Sequence, residues 1–209
     1  GPGMPRARGY TAKTLEGLAI FAKGQGHINI APDIDGKFRR LPTYIKYGDR
    51  LYPYISFLAT CDYLGVRQED VKILPARHID LGGGLRIPLD ENSNMLINFA
   101  GRWGRFYRHY SYVDILQSYL ANLSGQKPAL DLKVFKDKIC VVGLTAAGTV
   151  DLHPNPLEPL YPGVGMHLEV FNYIQHIYFI QKKLFNNLYS IWALDSTLSF
   201  ATCTAFLDS

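Results

Sequence analysis

The polar residues best placed to do chemistry follow a continuous apolar run, residues 138–145. Thr145, Asp151, His153 and Asn155 lie at the end of this run and in the loop after it. In α/β folds the loop after a buried strand is a common ligand site, so these four side chains could line a polar pocket. Loop Thr, Asp and Asn residues more often hydrogen-bond their own backbone, and a single His in a Pro-rich loop is more often exposed than catalytic. For each of these residues taken singly, a structural role in the loop is therefore favoured over a role in ligand binding.

Phosphate binding is the most obvious alternative function for this loop, because Gly143 and Gly148 have GxxxxG spacing. The lysine that binds phosphate in such loops is replaced by Thr149. Four prolines also prevent a regular helix from starting directly after the loop, so the usual helix N-terminus for an anion is missing. These are Pro154, Pro156, Pro159 and Pro162. The sequence therefore disfavours a nucleotide site.

A second polar group surrounds a predicted turn at residues 32–36. Asp33 and Asp35 have the spacing that begins a calcium loop, but basic residues stand where the later acidic ligands belong, which favours a simple hairpin turn. Arg39 and Arg40 are neighbours on the following strand and point to opposite faces, so at most one of them faces a given pocket. We select Arg39 as a candidate ligand-binding residue, together with Asn29 on the strand before the turn.

The sequence contains no recognisable nucleophile–base or metal-ligand motif. The patterns GxSxG and HExxH are absent, and the six histidines lack metal-ligand spacing. We expect no catalytic residue, no metal and no cofactor. The candidate ligand-binding residues are Asn29, Arg39, Asn98, Thr145, Asp151, His153 and His167. An alternative is a small α/β hydrolase-like enzyme that uses Asp151 with His153 or His167 as acid and base, which requires those groups within hydrogen-bond reach of each other or of one substrate.

The composition is that of one globular domain. The chain has 209 residues, of which 47% are hydrophobic and 19% charged, and this length suits one core better than two. The net charge of +4 is scattered along the chain, so nucleic acid is excluded as a partner. The three cysteines, Cys61, Cys140 and Cys203, form no disulfide framework, and Cys140 is predicted to be a buried core residue.

Hydrophobic periodicity and turn residues predict a mixed α/β (α+β) domain with a partly antiparallel sheet flanked by helices. The predicted strands are a hairpin formed by residues 26–31 and 37–47, a meander over residues 77–101, and a central strand at 138–145 that is buried on both faces.

The predicted helices are marked by capping residues at their ends. They cover residues 14–23 with Thr14 as N-cap, 53–65 closed by Gly65, 112–123 capped by Ser111, 163–181, and an amphipathic last helix at 184–207.

Several long motifs occur together in one order along the chain. They are GHINIAPDIDGKFRRLP, RLYPYISFLA, LRIPLDENSNMLINFAG, YSYVDIL and FKDKICVVGLTAAGTVDLHPNPLEPLYPGVGMHLEVFNYI. Over residues 18–181 the chain resembles the second type of CHASE domain, the cyclase/histidine-kinase-associated sensory extracellular domain.

The resemblance implies an extracytoplasmic sensor module of a bacterial membrane-bound receptor. Its output domain would be an adenylate or guanylate cyclase, a histidine kinase or a serine/threonine kinase, and the chain itself would not be an enzyme. The expected partners are an unknown small-molecule or protein stimulus and a second copy in a homodimer, with the parent protein embedded in the membrane. The signal would pass from the 141–163 region through the helix at 163–181 by a population shift. A purely structural dimerisation module is a further alternative.

The two ends of the chain depart from the family pattern. Residues 1–3 resemble an expression-tag scar, and we expect the sensor domain to cover residues 4–181 and to lack the family's first strand and helix. Residues 182–209 are expected to be an amphipathic helix or a degenerate membrane-proximal segment, since Asp195 makes them a poor membrane span.

Overall fold

The computed structural model describes residues 3–9, 14–145, 151–185 and 201–205. The chain divides into two compact units. The first comprises Gly1–Asn98 with Glu169–Leu188, and the second comprises Phe99–Leu168 with Tyr189–Ser209. Both contain helices and small sheets, so the predicted mixed α+β class is confirmed.

The first unit is built from short strands and two helices, followed by most of a third. In chain order its elements are α1 (Glu16–Ala19), β1 (Arg40–Pro42), β2 (Tyr44–Tyr47), β3 (Arg50–Pro53), α2 (Ile55–Tyr63), β4 (Lys72–Leu74), β5 (His78–Asp80), β6 (Arg86–Pro88) and β7 (Asn94–Leu96). The third helix is α4 (Gly163–Phe185), from its seventh residue onward.

The strand pairing of this unit differs from the predicted hairpin. The turn at Asp33–Gly36 does form, with the Gly36 N–H 2.8 Å from the Asp33 carbonyl oxygen. Residues 28–31 form no strand, however, and His27 makes only an isolated bridge to Tyr54. The prediction fails because β1 pairs antiparallel with the distant β7, while the local hairpin is β2–β3.

The predicted meander is confirmed for β5 and β6, which pair antiparallel across the Gly-rich turn. The third strand of this sheet is β4, which pairs with β5. The predicted third strand at 95–101 does not join the sheet, because β7 pairs with β1 instead. The core of the unit is apolar and includes one end of α4. Its fully buried side chains include Leu41, Tyr54, Phe57, Ile79, Ile87, Met95, Val170 and Ile174.

The predicted helices are confirmed in part. Helix α2 ends at Tyr63, and Gly65, two residues later, has the positive φ of 70° that a glycine adopts just after a helix C-terminus. Helix α1 is a single turn, and its N-cap is Leu15 instead of Thr14. No helix among the described residues is long and apolar enough to cross a membrane.

The second unit combines a parallel sheet with the start of the long helix. Its elements are β8 (Arg108–Ser111), α3 (Tyr112–Leu123), β9 (Cys140–Leu144), β10 (Leu152–His153), β11 (Tyr161–Pro162), the first turns of α4, and β12 (Ala201–Ala205). Strand β12 lies between β8 and β9 and is parallel to both, and β10 pairs antiparallel with β11.

Two predictions for this unit are wrong. Strand β9 is at an edge of its sheet, and exposed Cys140, Val142 and Leu144 alternate with half-buried residues, so the strand is covered on one face only. The last predicted helix also fails at residues 201–205, which form β12, because two β-branched threonines and two flanking strands favour extended backbone there. Residues 186–200 and 206–207 of that predicted helix lie outside the described residues.

Candidate functional site

The start of α4 gathers the polar residues that the sequence places in and after the Pro-rich loop. The short β10–β11 pair brings Asp151 beside Gly163, whose N–H donates to the Asp151 carbonyl oxygen at 2.9 Å. The Asp151 carboxylate lies against the α-carbon of Gly163, where a side chain would clash with it. A negative charge at the first turn of a helix is stabilised by the aligned peptide dipoles. Asp151 therefore anchors the N-terminus of a helix of 23 residues.

Two histidines interact with this carboxylate. The Nε2 atom of His153 lies 3.1 Å from Asp151 Oδ1. His167 is one helical turn after Gly163, on the same face. Burial lowers the pKa of His167 to about 4, and the charge of Asp151 acts in the opposite direction. Three of the seven candidate residues, Asp151, His153 and His167, are thus brought together.

The Pro-rich loop itself is held by its own side chains, as the sequence favours for Asn155. The buried Asn155 Oδ1 accepts the N–H groups of Leu157 and Glu158, each at 2.8 Å. Glu158 Oε1 in turn accepts the N–H of Trp103 at 2.8 Å. The half-buried Thr145 is the last described residue before residues 146–150, which lie outside the described part of the chain. These bonds fix the loop that leads into α4.

A separate cleft of about 430 Å³ lies in the first unit, within the size range of small-molecule sites. Asn29 lines it, as do the side chains of Arg40 and two aspartates. Arg40 Nη1 lies 3.5 Å from Asp90 Oδ2, and Arg40 Nε lies 4.0 Å from Asp33 Oδ1. The remaining polar lining comes from Asn92 and Asn94. The cleft therefore presents one guanidinium, two carboxylates and three amides.

The neighbouring Arg39 has a different role from the one selected for it. Its guanidinium binds both carboxylate oxygens of Asp35 at 2.7 Å and reaches Asp33 Oδ2 at 3.2 Å. This bidentate pair holds the pKa of Asp35 well below its usual range. Arg39 thus braces the Asp33–Gly36 turn, and it is Arg40 that lines the cleft.

Asn98 follows β7, is exposed, and does not line this cleft. Sequence reasoning missed Arg40 and Asp90. A signal for Asp90 was available in the spacing Asp-Glu-Asn-Ser-Asn, because Asp90 Oδ1 accepts the N–H groups of Asn92 at 3.0 Å and Asn94 at 2.8 Å. These bonds hold the Asp90 carboxylate beside Arg40.

Neither group of residues resembles a metal site, and no cluster of three or more His, Cys, Asp or Glu suited to a metal occurs in the described ranges. The Asp151–His153 contact does meet the distance that the acid–base alternative requires.

Comparison with known protein families shows to which family the chain belongs. The family model of the CHASE2 domain matches residues 8–206, which is nearly the whole chain. The chain belongs to the CHASE2 family. No curated protein and no solved structure matches it.

CHASE2 domains are extracellular sensory domains that typically occur in signalling receptors. The match includes both compact units of this CHASE2 domain, the cluster at the start of α4 and strand β12. It also extends beyond residues 18–181, where the characteristic motifs lie, at both ends.

Proposed function

We propose that this CHASE2 domain detects a stimulus outside the cytoplasmic membrane of a bacterium and regulates a cytoplasmic output domain of its parent receptor. The observation that supports this most is the family match over residues 8–206. The output domain we propose is an adenylate or guanylate cyclase, a histidine kinase or a serine/threonine kinase. The domain itself contributes no catalytic step.

The cleft of the first unit is the proposed site of the stimulus. The cleft and the adjoining turn together contain three carboxylates, Asp33, Asp35 and Asp90, and two guanidinium groups, Arg39 and Arg40, which leaves one net negative charge. An anionic ligand would therefore be repelled, whereas amide groups from Asn29, Asn92 and Asn94 suit a small polar molecule with several hydrogen-bonding groups. We propose a neutral or cationic polar ligand.

A thermal-shift screen of the whole chain against free amino acids, sugars and polyamines tests this site. A ligand that binds only the folded state raises the melting temperature. The shift should disappear in the variants Asn29→Ala and Arg40→Ala and persist in Arg67→Ala, an arginine whose ion pair with Asp70 lies outside the cleft. A shift that survives both cleft substitutions contradicts the proposed site.

Helix α4 is the proposed route of the signal. It begins at the Asp151–His153–His167 cluster and continues without interruption to Phe185. A helix anchored at one end by a charge and two rings can adopt alternative packings, and a stimulus that favours one of them shifts the population.

Variants of the full-length receptor in membranes test this route. Asp151→Ala and His167→Ala should change the basal output several-fold, because they alter the anchor of α4, while the domain still unfolds cooperatively. His176→Ala is the matched control, since His176 is an exposed histidine on the same helix. Equal output from His167→Ala, Asp151→Ala and the control would contradict transmission through the start of α4.

A second candidate function is supported by the 3.1 Å contact between Asp151 and His153. Such a pair is the minimum that a small hydrolase with an acid and a base requires. Turnover of ester or amide substrates by the chain alone, abolished by His153→Ala, would establish this activity and overturn the assignment as a non-enzymatic sensor.

A further inference from the structure

Helix α3 presents its most apolar face to solvent. Six large side chains on this face are each between 41% and 67% exposed. We call them the α3 stripe: Tyr112, Val113, Leu116, Tyr119, Leu120 and Leu123. The face of α3 that points inward carries the buried Ser118, whose Oγ accepts the N–H of Leu130 at 3.0 Å. The one fully buried residue of α3 is therefore small and polar, with Ile115 and Ala121 half-buried beside it, whereas all three leucines of the helix are exposed. An ordinary amphipathic surface helix buries its leucines.

The spacing of the α3 stripe is that of a coiled-coil seam. Val113 and Leu120 are seven residues apart, and so are Leu116 and Leu123. The two pairs occupy the a and d positions of two successive heptads, with a β-branched residue and leucines in the places that helix–helix packing prefers. Tyr112 and Tyr119 flank the seam with the same spacing. A repeat of this kind fits another helix better than it fits a flat surface.

The flanks of the seam carry no charge that would oppose a second copy. Asp114 is the only charged residue in Tyr112–Leu123, and it is exposed on the side of the helix that faces away from the seam. The positions beside the seam are Gln117, Ser124 and the two tyrosines. Two identical helices can therefore approach face to face without like-charge repulsion, which otherwise prevents self-pairing.

The exposed area suits an interface between two copies. Six side chains of this size, each about half exposed, present on the order of 600 Å² of mostly apolar surface. Two copies would together bury about 1,200 Å² through the helices alone, which reaches the lower end of specific protein–protein interfaces.

We infer that the α3 stripe is a homodimer interface, in which α3 of one copy pairs with α3 of a second copy across a two-fold axis. The same patch is used by both copies, as closed dimers require. This interface is independent of the cleft and of the α4 cluster, so it does not rest on the proposed sensory mechanism.

Sedimentation velocity of the 209-residue chain over a wide concentration range tests the inference. We expect a reversible monomer–dimer equilibrium, and the double variant Leu116→Glu/Leu120→Glu should weaken it at least about tenfold, because two buried charges would face each other across the axis. Leu160→Glu is the matched control: Leu160 is 65% exposed in the same unit and should leave the equilibrium unchanged.

A second variant pair, Leu116→Gln/Leu120→Gln, keeps helix-forming residues without charge and should weaken the dimer while circular dichroism stays the same. A wild-type chain that is monomeric at every concentration overturns the inference, and so does a dimer that tolerates both double variants.

Discussion

Arg39 and Arg40 are adjacent in the sequence but have different electrostatic surroundings. Arg39 is paired with the two carboxylates of its own turn, whereas Arg40 faces the cleft between Asp33 and Asp90. The alternation of side chains along a strand explains why only one of the two can reach the cleft. Asp33 contacts both arginines, so the carboxylates that distinguish them are Asp35, which binds Arg39, and Asp90, which lies beside Arg40.

The Arg39–Asp35 pair gives the first prediction. In Arg39→Gln the pKa of the Asp35 carboxyl should rise toward its ordinary value of 3.8, because the bidentate guanidinium bond is its largest cause of depression. A depressed carboxyl pKa adds stability above the ordinary pKa that is lost as the pH falls. Carboxyl NMR titration measures the shift, with Arg67→Gln as a distant control. An Asp35 pKa that remains low in Arg39→Gln would contradict the assignment.

His27 leads to the second prediction. Its ring packs edge-on against Tyr54 at 5.3 Å, and among the described residues neither ring nitrogen has a hydrogen-bond partner. Burial lowers the pKa of His27 from 6.5 to about 4. Between these pH values the unfolded chain binds a proton that the folded chain does not, so stability is full above pH 6.5 and falls as the pH decreases toward 4.

In His27→Phe the ring contact is kept and the titration is removed, so the loss of stability on acidification should be smaller. The difference between wild type and variant in the free energy of unfolding lost on acidification is at most about 2 kcal/mol at pH 5, and partial solvent screening reduces it. Melting temperatures across this pH range measure it. Parallel pH profiles for the wild type and the variant would show that His27 is not the titrating group.

At the scale of elements, strand β9 and helix α4 approach closely because one glycine lies between them. A β-carbon at Gly143 would come within 2.6 Å of the Val164 β-carbon. Real β-carbons do not approach that closely, so one of the two elements would have to shift.

The third prediction is that Gly143→Ala destabilises the domain by about 1–3 kcal/mol through overpacking. Gly101→Ala is the control in the same unit, since its added β-carbon would find its nearest neighbour, the Phe106 β-carbon, at 3.8 Å. Urea unfolding compares the two variants. Equal midpoints for Gly143→Ala and Gly101→Ala would mean that β9 and α4 are not tightly packed here.

The elements also show what the sequence could and could not predict. Helices α2 and α3 are predictable because their end signals are local: Ser111 accepts the N–H of Asp114 at the start of α3, and Gly65 follows the end of α2. The partners of β1 and β12 were missed, because β7 and the β8–β9 pair lie far away in the chain, and such pairings leave no short-range signal. The candidate residues around Asp151 came together for the local reason that β10 and β11 form one hairpin.

At the scale of the whole molecule, self-association and stability are linked. If two copies pair through the α3 stripe, the folded state is favoured by mass action, since the unfolded chain offers no such face.

The fourth prediction is that the melting temperature of the 209-residue chain rises with protein concentration. The rise should vanish in Leu116→Glu/Leu120→Glu and remain in Leu160→Glu, because only the former alters the α3 stripe. Differential scanning calorimetry at several concentrations measures it. A melting temperature independent of concentration in the wild type, at concentrations where it is dimeric, would contradict this linkage.

The order of the two units along the chain has a consequence for biosynthesis. The first unit is interrupted by residues 99–168, and its apolar interior is completed only by α4, where the Phe171 ring meets that of Tyr63 at 5.3 Å. A ribosome therefore releases the amino-terminal strands long before the helix that covers them has been made. During that interval the nascent chain exposes apolar surface of the kind that chaperones bind, and a fragment that stops at residue 98 would remain in this incomplete condition.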